Sequence, residues 1–410
     1  METTRDIESQ KAIDVWMKTS NGTLELTTGV GKTKIGLDIA AALAWALLGH
    51  KQVPRIIIIT PTENLRDTHW ADEAKKWGMD FMFTLGHVTT MCIQSAYKLT
   101  GLEYDLAIVD EIHTTLSEEY SKFYTNNKLH RILGLSATIP ADKRPLLDTI
   151  APVVYTITPT EASEKSLISK YKVYNVSLEL TNTELATYKS HDTVISQAER
   201  ELMTSLNIPL ARVFNSAISC LKDFTKPSSV RMWASRYMNS VRGRKTVVNN
   251  AYNKLDATCK ILSLLNTEKA LIFAESIKFA ELICKTCHKI GCSIYHSKMK
   301  DDLRKQVLED FNNKPEIKVL STVKALDLGL NVENVSLCII AAGSGNPLQF
   351  TQRLGRGVRK TTEDKVAICI NLYCKDTQEV KWVQKRTQNE PNSIWITLEE
   401  FLKLYENENR

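Results

Sequence analysis

Apolar positions along the chain fall into two alternating patterns. Arg55 to Thr60 carries four consecutive isoleucines, the continuous run of a strand buried on both faces. Other stretches repeat at helical spacing, as Ile35, Leu37, Ile39, Leu43 and Leu47 do, and Ile7 to Met17 reads as a further helix. Strand candidates recur at Thr23 to Leu26, Phe81 to Leu85, Val88 to Cys92, Leu106 to Asp110 and Arg131 to Ser136. Most are separated by helical patterns, and such alternation predicts a parallel sheet covered on both sides. Lys172 to Leu178 alternates as a strand does and is assigned to a second sheet, ahead of a long helical region. The chain therefore reads as α/β, with parallel-sheet domains over 1–160 and 161–395. A mostly helical, basic insertion at 181–255 interrupts the second, and a helix with Leu398, Phe401 and Leu404 closes the chain over 396–410.

Composition agrees with this picture. A chain of 410 residues exceeds one core and predicts two or three domains. The longest apolar run, Ile39 to Leu48, is too short to span a bilayer. The charged stretch Glu2 to Lys11 is no secretory signal, so a cytoplasmic setting is expected, the host's if the source is viral. Nine scattered cysteines in that setting predict reduced thiols. One group, Cys284, Cys287, His288 and Cys292, contains the C-x-x-C-H string of haem attachment and has zinc-like ligands. No second ligand pair stands at finger spacing, and Phe279 to Ile290 reads as an amphipathic helix, so small buried residues are the reading preferred there.

The chemistry centres on Leu26-Thr27-Thr28-Gly29-Val30-Gly31-Lys32-Thr33, between a strand and a helix. Gly29 and Gly31 let backbone N–H groups turn inward on a polyphosphate at a helix N-terminus. Lys32 reaches the outer phosphates, and the Thr33 hydroxyl is placed to ligate Mg²⁺. Leu26 stands where the general phosphate-loop pattern has its first glycine. The strand Leu106 to Val109 ends in Asp110-Glu111-Ile112-His113. Asp110 there can hold Mg²⁺ through water, and Glu111 can orient or deprotonate the attacking water. Arg5 and Gln10 precede the loop, and a glutamine amide can read an adenine edge. Thr60-Pro61-Thr62 ends a buried strand, where ligands bind in open α/β sheets. Arg356 and Arg359 are three apart, so on a helix they share a face and can stabilise charge on a transferring phosphoryl group.

These strings in this order resemble the motifs of superfamily 2 helicases of the DExH type. Gly29 to Thr33 resembles motif I, Thr60-Pro61-Thr62 motif Ia, Asp110 to His113 motif II, Ser136-Ala137-Thr138 motif III, and Gln10 with Arg5 the glutamine motif. Lys269 to Glu275 resembles motif IV. Val319 to Thr322, continuing to Asp327-Leu328-Gly329-Leu330-Asn331, resembles motif V, and Gln349 to Arg359 resembles motif VI. Within the superfamily the pattern is most similar to the XPB-like and phage UvsW-like group. The resemblance implies two RecA-like domains with ATP and Mg²⁺ between them. It places Thr28 to Thr33, Asp327 and Gly329 on the nucleotide, Gln352, Arg356 and Arg359 across the cleft, and His113, Ser136 and Thr138 in coupling. Nucleic acid is expected on Thr60, Pro61, Thr62 and Thr322. The implied activity is ATP-driven translocation and unwinding or remodelling of single-stranded or forked DNA, with RNA as a possible substrate. The alternatives are a duplex-translocating motor subunit of a restriction or defence complex, an RNA helicase, and an ATP-gated clamp.

The insertion lies outside those motifs. It carries eleven basic and five acidic residues, and from Lys226 to Lys254 there is no acidic residue at all. Arg231, Arg236, Arg242, Arg244 and Lys245 alternate there with Trp233, Tyr237 and Tyr252. Basic side chains displace counterions from phosphates and aromatic faces stack on bases, so this segment is expected to grip or split nucleic acid. The competing expectation is that its aromatics form only its own small core.

Overall fold

The computed structural model describes residues 3–63, 65–265, 269–323, 332, 335–346, 350, 366–388, 390 and 392–408. Asp327, Gly329, Gln352, Arg356 and Arg359 lie outside the described residues.

The first sheet has six parallel strands in the order Val88–Cys92, Ile56–Thr60, Leu106–Asp110, Ile132–Ser136, Asn21–Leu26 and Val153–Ile157. Its central strands are buried along their whole length, as their unbroken apolar runs require. The N-terminal helix Thr4–Thr19 begins with a capping box between Thr3 and Asp6. It packs against the helix Lys32–Gly49 and the strand Asn21–Leu26. Trp16 pins it there, its indole N–H donating to the carbonyls of Gly22 (3.1 Å) and Ile132 (3.2 Å).

The second sheet has seven parallel strands in the order Cys292–His296, Val319–Val323, Ala270–Ala274, Leu337–Ile340, Ala367–Cys374, Tyr171–Leu178 and Ile394–Thr397. The strand expected at Lys172 to Leu178 is present, pairing with Ala367–Cys374 in register over eight residues. It belongs to the second sheet although it precedes the insertion. Within the insertion, Asn182–Leu206, Leu210–Lys222 and Ser228–Asn249 are helical, and Tyr252–Leu265 returns the chain to the sheet. Three contacts fix where it leaves and rejoins. Glu184 accepts from the Tyr252 N–H (2.8 Å), the Asn253 amide donates to the Glu179 carbonyl (2.8 Å), and Lys254 pairs with Glu379 (2.7 Å).

Some elements differ from the pattern-based expectation. Phe81 to Leu85 is not a strand; Phe81–Thr84 forms one helical turn. The segment lies between the positive-φ residues Gly78 and Gly86, which reverse the chain on either side, and Phe81 packs at a tilt on Trp45 with ring centres 5.0 Å apart. Val153–Ile157 and Ile394–Thr397 are additional edge strands. No described helix is long and apolar enough to cross a membrane.

Candidate nucleotide and nucleic-acid site

The strands ending in the phosphate loop, in Ser136 and in Asp110 are neighbours, with Glu25 opposite Ser136 and Asp110 opposite Leu135. Register alone thus brings three sequence-distant strings to one edge of one sheet. Gly29 and Gly31 have φ of 95° and 108°, a region open to glycine and costly for other residues. Gly31 caps the helix Lys32–Gly49 with no side-chain acceptor for its first-turn amides, so those N–H groups face the loop unsatisfied. The Lys32 ammonium folds back to donate to the Leu26 carbonyl (3.1 Å). The Thr33 hydroxyl lies 3.3 Å from His69 Nε2.

Asp110 is 9 % exposed, and its pKa is raised, first by burial and then by the adjacent charge of Glu111, with Lys32 opposing. A cation placed beside this carboxyl would favour its charged form. With the Thr33 hydroxyl the carboxyl offers the hard oxygen donors that Mg²⁺ prefers. The loop, its free amides and this donor pair fit a magnesium–nucleotide. Glu111 sits at φ 48° and starts the tight turn Ile112–Thr115, which brings His113 back under the strand ends. His113 Nδ1 is 2.8 Å from Ser136 Oγ and 3.4 Å from Glu111 Oε2, and Ser136 Oγ also reaches Glu111 Oε2 (3.2 Å) and the Thr138 carbonyl (3.0 Å). Burial lowers the His113 pKa, so the ring is neutral near pH 7. His113, Ser136 and Thr138 are thereby brought together with Glu111.

Further residues shape this neighbourhood, and Glu25 among them carries no motif signal. Glu25 accepts from the Ile139 N–H (2.9 Å) and from Arg144 (2.8 Å), fixing the segment after Thr138. Arg5 donates to the carbonyls of Gly29 (3.2 Å) and Leu167 (2.6 Å), so it braces the loop from behind. Gln10 bonds to Asp14 on its own helix (2.7 Å). Val30 is buried.

The expected nucleic-acid contacts separate into two groups. Thr60 and Thr322 are fully buried, and the Thr60 hydroxyl donates to the Thr62 carbonyl (3.1 Å); neither presents a surface. Pro61 is buried as well, with its carbonyl accepting from Gln94 (3.3 Å). The Thr62 hydroxyl oxygen is buried without a hydrogen-bond partner among the described residues, and so is that of Thr322. In the insertion, Tyr237 is 7 % exposed and packs with Ile195, Leu202, Val213 and Met238, so it is core, not a stacking platform. Arg244 pairs with Asp192, Lys245 lies 3.8 Å from Glu275, and Lys254 is committed to Glu379. Arg231, Arg236 and Arg242 have no carboxylate partner among the described residues, and Arg236 lies over Trp233 at 5.0 Å. Sequence reading missed Phe224. It stands 78 % exposed in the loop between two insertion helices, with the Arg231 guanidinium 4.6 Å from its ring centre. An Asp223 turn accepting from the Thr225 N–H (2.9 Å) shapes that loop.

Comparison with known proteins agrees with this geometry. The model of the helicase conserved C-terminal domain matches residues 253–361, and that of the type III restriction enzyme res subunit matches residues 3–141. The chain is similar to the DNA 3'-5' translocase XPB2 of Sulfurisphaera tokodaii, 27 % identical over 403 residues, covering 94 % of this chain and 84 % of that one. The helicase/translocase subunit XPB of general transcription and DNA repair factor IIH from Dictyostelium discoideum is 21 % identical, over 71 % of this chain and 31 % of its own length. The fold matches that of S. cerevisiae Dbp5 bound to RNA and ADP BeF3, with a TM-score of 0.57, 14 % identity and coverage of 97 % and 92 %. It also matches the Pyrococcus furiosus Hef helicase domain, with a TM-score of 0.56, 14 % identity and coverage of 93 % and 97 %. Over these two matched segments the chain carries the domains of a superfamily 2 helicase, and such domains imply a nucleic-acid-dependent ATPase that uses Mg²⁺.

Proposed function

We propose that the chain is an ATP-driven DNA motor that steps along a strand and separates or remodels forked or branched duplexes. The observation that supports this most is the similarity, along nearly the whole chain, to a protein described as a DNA 3'-5' translocase. In this reading the loop amides and Lys32 hold the phosphates, while Thr33 and Asp110 orient the metal. Glu111 takes a proton from the attacking water, and Gln10 and Arg5 serve the adenine side. Magnesium, when bound, neutralises charge building on the transferred phosphoryl group. Asp327, Gly329, Gln352, Arg356 and Arg359 complete the site from the second domain, so that hydrolysis depends on closure. The Ser136–His113 link carries the state of Glu111 to the Thr138 segment. Thr62 and the insertion's Arg231, Trp233, Arg236, Arg242 and Phe224 contact nucleic acid.

The test is steady-state ATPase with no nucleic acid, single-stranded DNA, single-stranded RNA, blunt duplex and a synthetic fork at fixed low salt, because such binding is salt-dependent. Strongest stimulation by forked or single-stranded DNA is expected, with a rate that rises with strand length and vanishes in Lys32→Ala. Stimulation by blunt duplex alone would replace this reading with a restriction-type translocase, and by RNA alone with an RNA helicase. A rate independent of strand length would indicate a clamp. Full nucleic-acid-stimulated activity in Lys32→Ala would refute the site assignment itself.

A further inference from the structure

The side chains singled out in the sequence as Cys284, Cys287, His288 and Cys292 do not converge on a metal. Among the described residues no group of three or more His, Cys, Asp or Glu side chains is arranged to hold one. Nδ1 of the exposed His288 ring meets the Lys285 carbonyl instead (2.9 Å). The sulfurs sort into pairs: Cys284 Sγ lies 2.8 Å from Cys292 Sγ, and Cys287 Sγ lies 3.0 Å from Cys259 Sγ. All four are free thiols, yet each pair is within about an ångström of the roughly 2.05 Å of a formed bond.

Local structure holds both pairs in place. Cys284 is in the last turn of the helix Ile277–Thr286, and the tight turn His288–Ile290 follows. Gly291 then reverses the chain at φ 78°, where an added Cβ would meet the Glu316 carbonyl oxygen at 1.7 Å. Only glycine fits, and the reversal sets Cys292, the first residue of its strand, beside Cys284. Cys287 caps the helix, its N–H donating to the Ile283 carbonyl (2.8 Å). Cys259 comes from a different helix, Tyr252–Leu265, packed against the first. Cys259, Cys284 and Cys292 are partly exposed residues, so each pair lies close enough to the surface for a small oxidant to approach.

We propose that Cys284–Cys292 and Cys259–Cys287 are two reversible disulfide sites, closed by a peroxide-class oxidant and reopened by a dithiol reductant. In each pair the neighbouring S–H stabilises a thiolate formed on the other sulfur, so one sulfur attacks and its partner resolves. The thiolate attacks a peroxide oxygen and the O–O bond breaks. The released hydroxide takes up the attacking thiol's proton and leaves as water, and the sulfur becomes a sulfenic acid. The resolving sulfur then displaces the sulfenic hydroxyl, which departs with the resolving thiol's proton as a second water. Two electrons pass from the two sulfurs to the peroxide for each bond closed. The first bond ties the helix Ile277–Thr286 to the edge strand Cys292–His296, and the second ties it to the helix that follows the insertion.

Cys338 and Cys369 supply an internal contrast. They face each other in register on adjacent strands, each 1 % exposed, out of reach of a soluble oxidant, and are expected to stay reduced. The experiment treats the folded protein with hydrogen peroxide, blocks remaining thiols with N-ethylmaleimide, and digests with trypsin without reduction. Lys260, Lys285 and Lys289 place the four cysteines on four different peptides, so every pairing is distinguishable by mass. The expected result is loss of four of the nine thiols as two linked peptide pairs, 284 with 292 and 259 with 287, both undone by dithiothreitol. Cys284→Ser should abolish the first link and leave the second. Links that form only in urea, a mixture of all pairings, or over-oxidised sulfurs without links would overturn the proposal.

Discussion

Lys254 and Glu379 form an ion pair of 2.7 Å with side chains only 0 % and 3 % exposed. It lies where the insertion rejoins the second sheet. Glu379 also accepts from the Cys374 N–H (2.9 Å) and from the Cys374 thiol, so Lys254→Met would leave a carboxylate in the interior with these two donors and no countercharge. Removing one partner of a buried pair costs about 3–5 kcal/mol, because the other charge stays desolvated. The surviving donors argue for the lower end, about 3 kcal/mol. For a domain of this size each kcal/mol moves the midpoint by roughly 2–4 °C, so the second domain should melt about 6–12 °C lower. Lys254→Met combined with Glu379→Gln removes both charges and keeps an acceptor for Cys374. The double variant is therefore expected within about 1–2 kcal/mol of the parent. Two domains need not unfold together, so the assay is calorimetry with the two transitions resolved, run on both single variants and the double. A cost below about 1 kcal/mol for Lys254→Met, or a double variant as unstable as the sum of the singles, would refute the claim that the pair is a coupled, buried lock.

Two further outcomes can be read from single residues. Burial pushes the Glu390 carboxyl up to about 7, with the Tyr171 hydroxyl (3.0 Å) partly opposing. An acid whose folded pKa is raised binds its proton more tightly when folded, so stability falls as pH rises from about 4.3 to about 7 and is level beyond. The size is about 4 kcal/mol, at 1.36 kcal/mol for each tenfold change in proton affinity. Glu390→Gln should therefore raise the urea midpoint at pH 8 and leave it nearly unchanged at pH 4, and an equal effect at both would refute this. Phe224→Ala should alter stability by less than about 0.5 kcal/mol, yet weaken single-stranded DNA binding by about 1–3 kcal/mol in fluorescence anisotropy. Tyr237→Ala should destabilise the insertion by about 3 kcal/mol or more; the reverse ranking would restore Tyr237 as the stacking residue.

Which parts of this molecule were legible in the sequence follows from where each signal resides. Ile56–Thr60 and Leu106–Asp110 announce themselves because strands buried on both faces are uninterrupted apolar runs. Val153–Ile157 and Ile394–Thr397 are edge strands with mostly half-exposed or exposed residues, so neither run nor alternation marks them. The loop glycines, Lys32, Asp110 and Glu111 are readable because each is a local string with its own chemistry. Glu25 and His69 join the same site through partners 114 and 36 residues away, and Arg5, although its string resembles the glutamine motif, is held by Gly29 and Leu167, 24 and 162 residues away; no local pattern reports such contacts. The insertion was overread for the same reason. Helical spacing placed Tyr237 on a face without saying which face is covered. Arg244, Lys245 and Lys254 counted as free charge because Asp192, Glu275 and Glu379 lie far along the chain.

One connection joins the phosphate loop to the insertion. Arg5 holds the Gly29 and Leu167 carbonyls together, and an added Cβ on Gly29 would lie 3.3 Å from the Ile168 side chain. The strand Tyr171–Leu178 follows, and at its far end Thr181 caps the first insertion helix with Glu184. Eight extended residues span about 26 Å, and this strand is hydrogen-bonded on both sides, so it moves as a rod. We expect a displacement of the loop on binding phosphate to reach the insertion by this route. The 2.6 Å bond from Arg5 to Leu167 is charge-assisted and worth about 1.5–3 kcal/mol. If half of that carries the coupling, Arg5→Ala should reduce DNA stimulation of ATPase at saturating ATP by about 3- to 12-fold, since 1.4 kcal/mol is tenfold. The unstimulated rate at saturating ATP should change much less. Arg5→Ala with full stimulation would refute the route, and a loss confined to ATP affinity would assign Arg5 to the nucleotide alone.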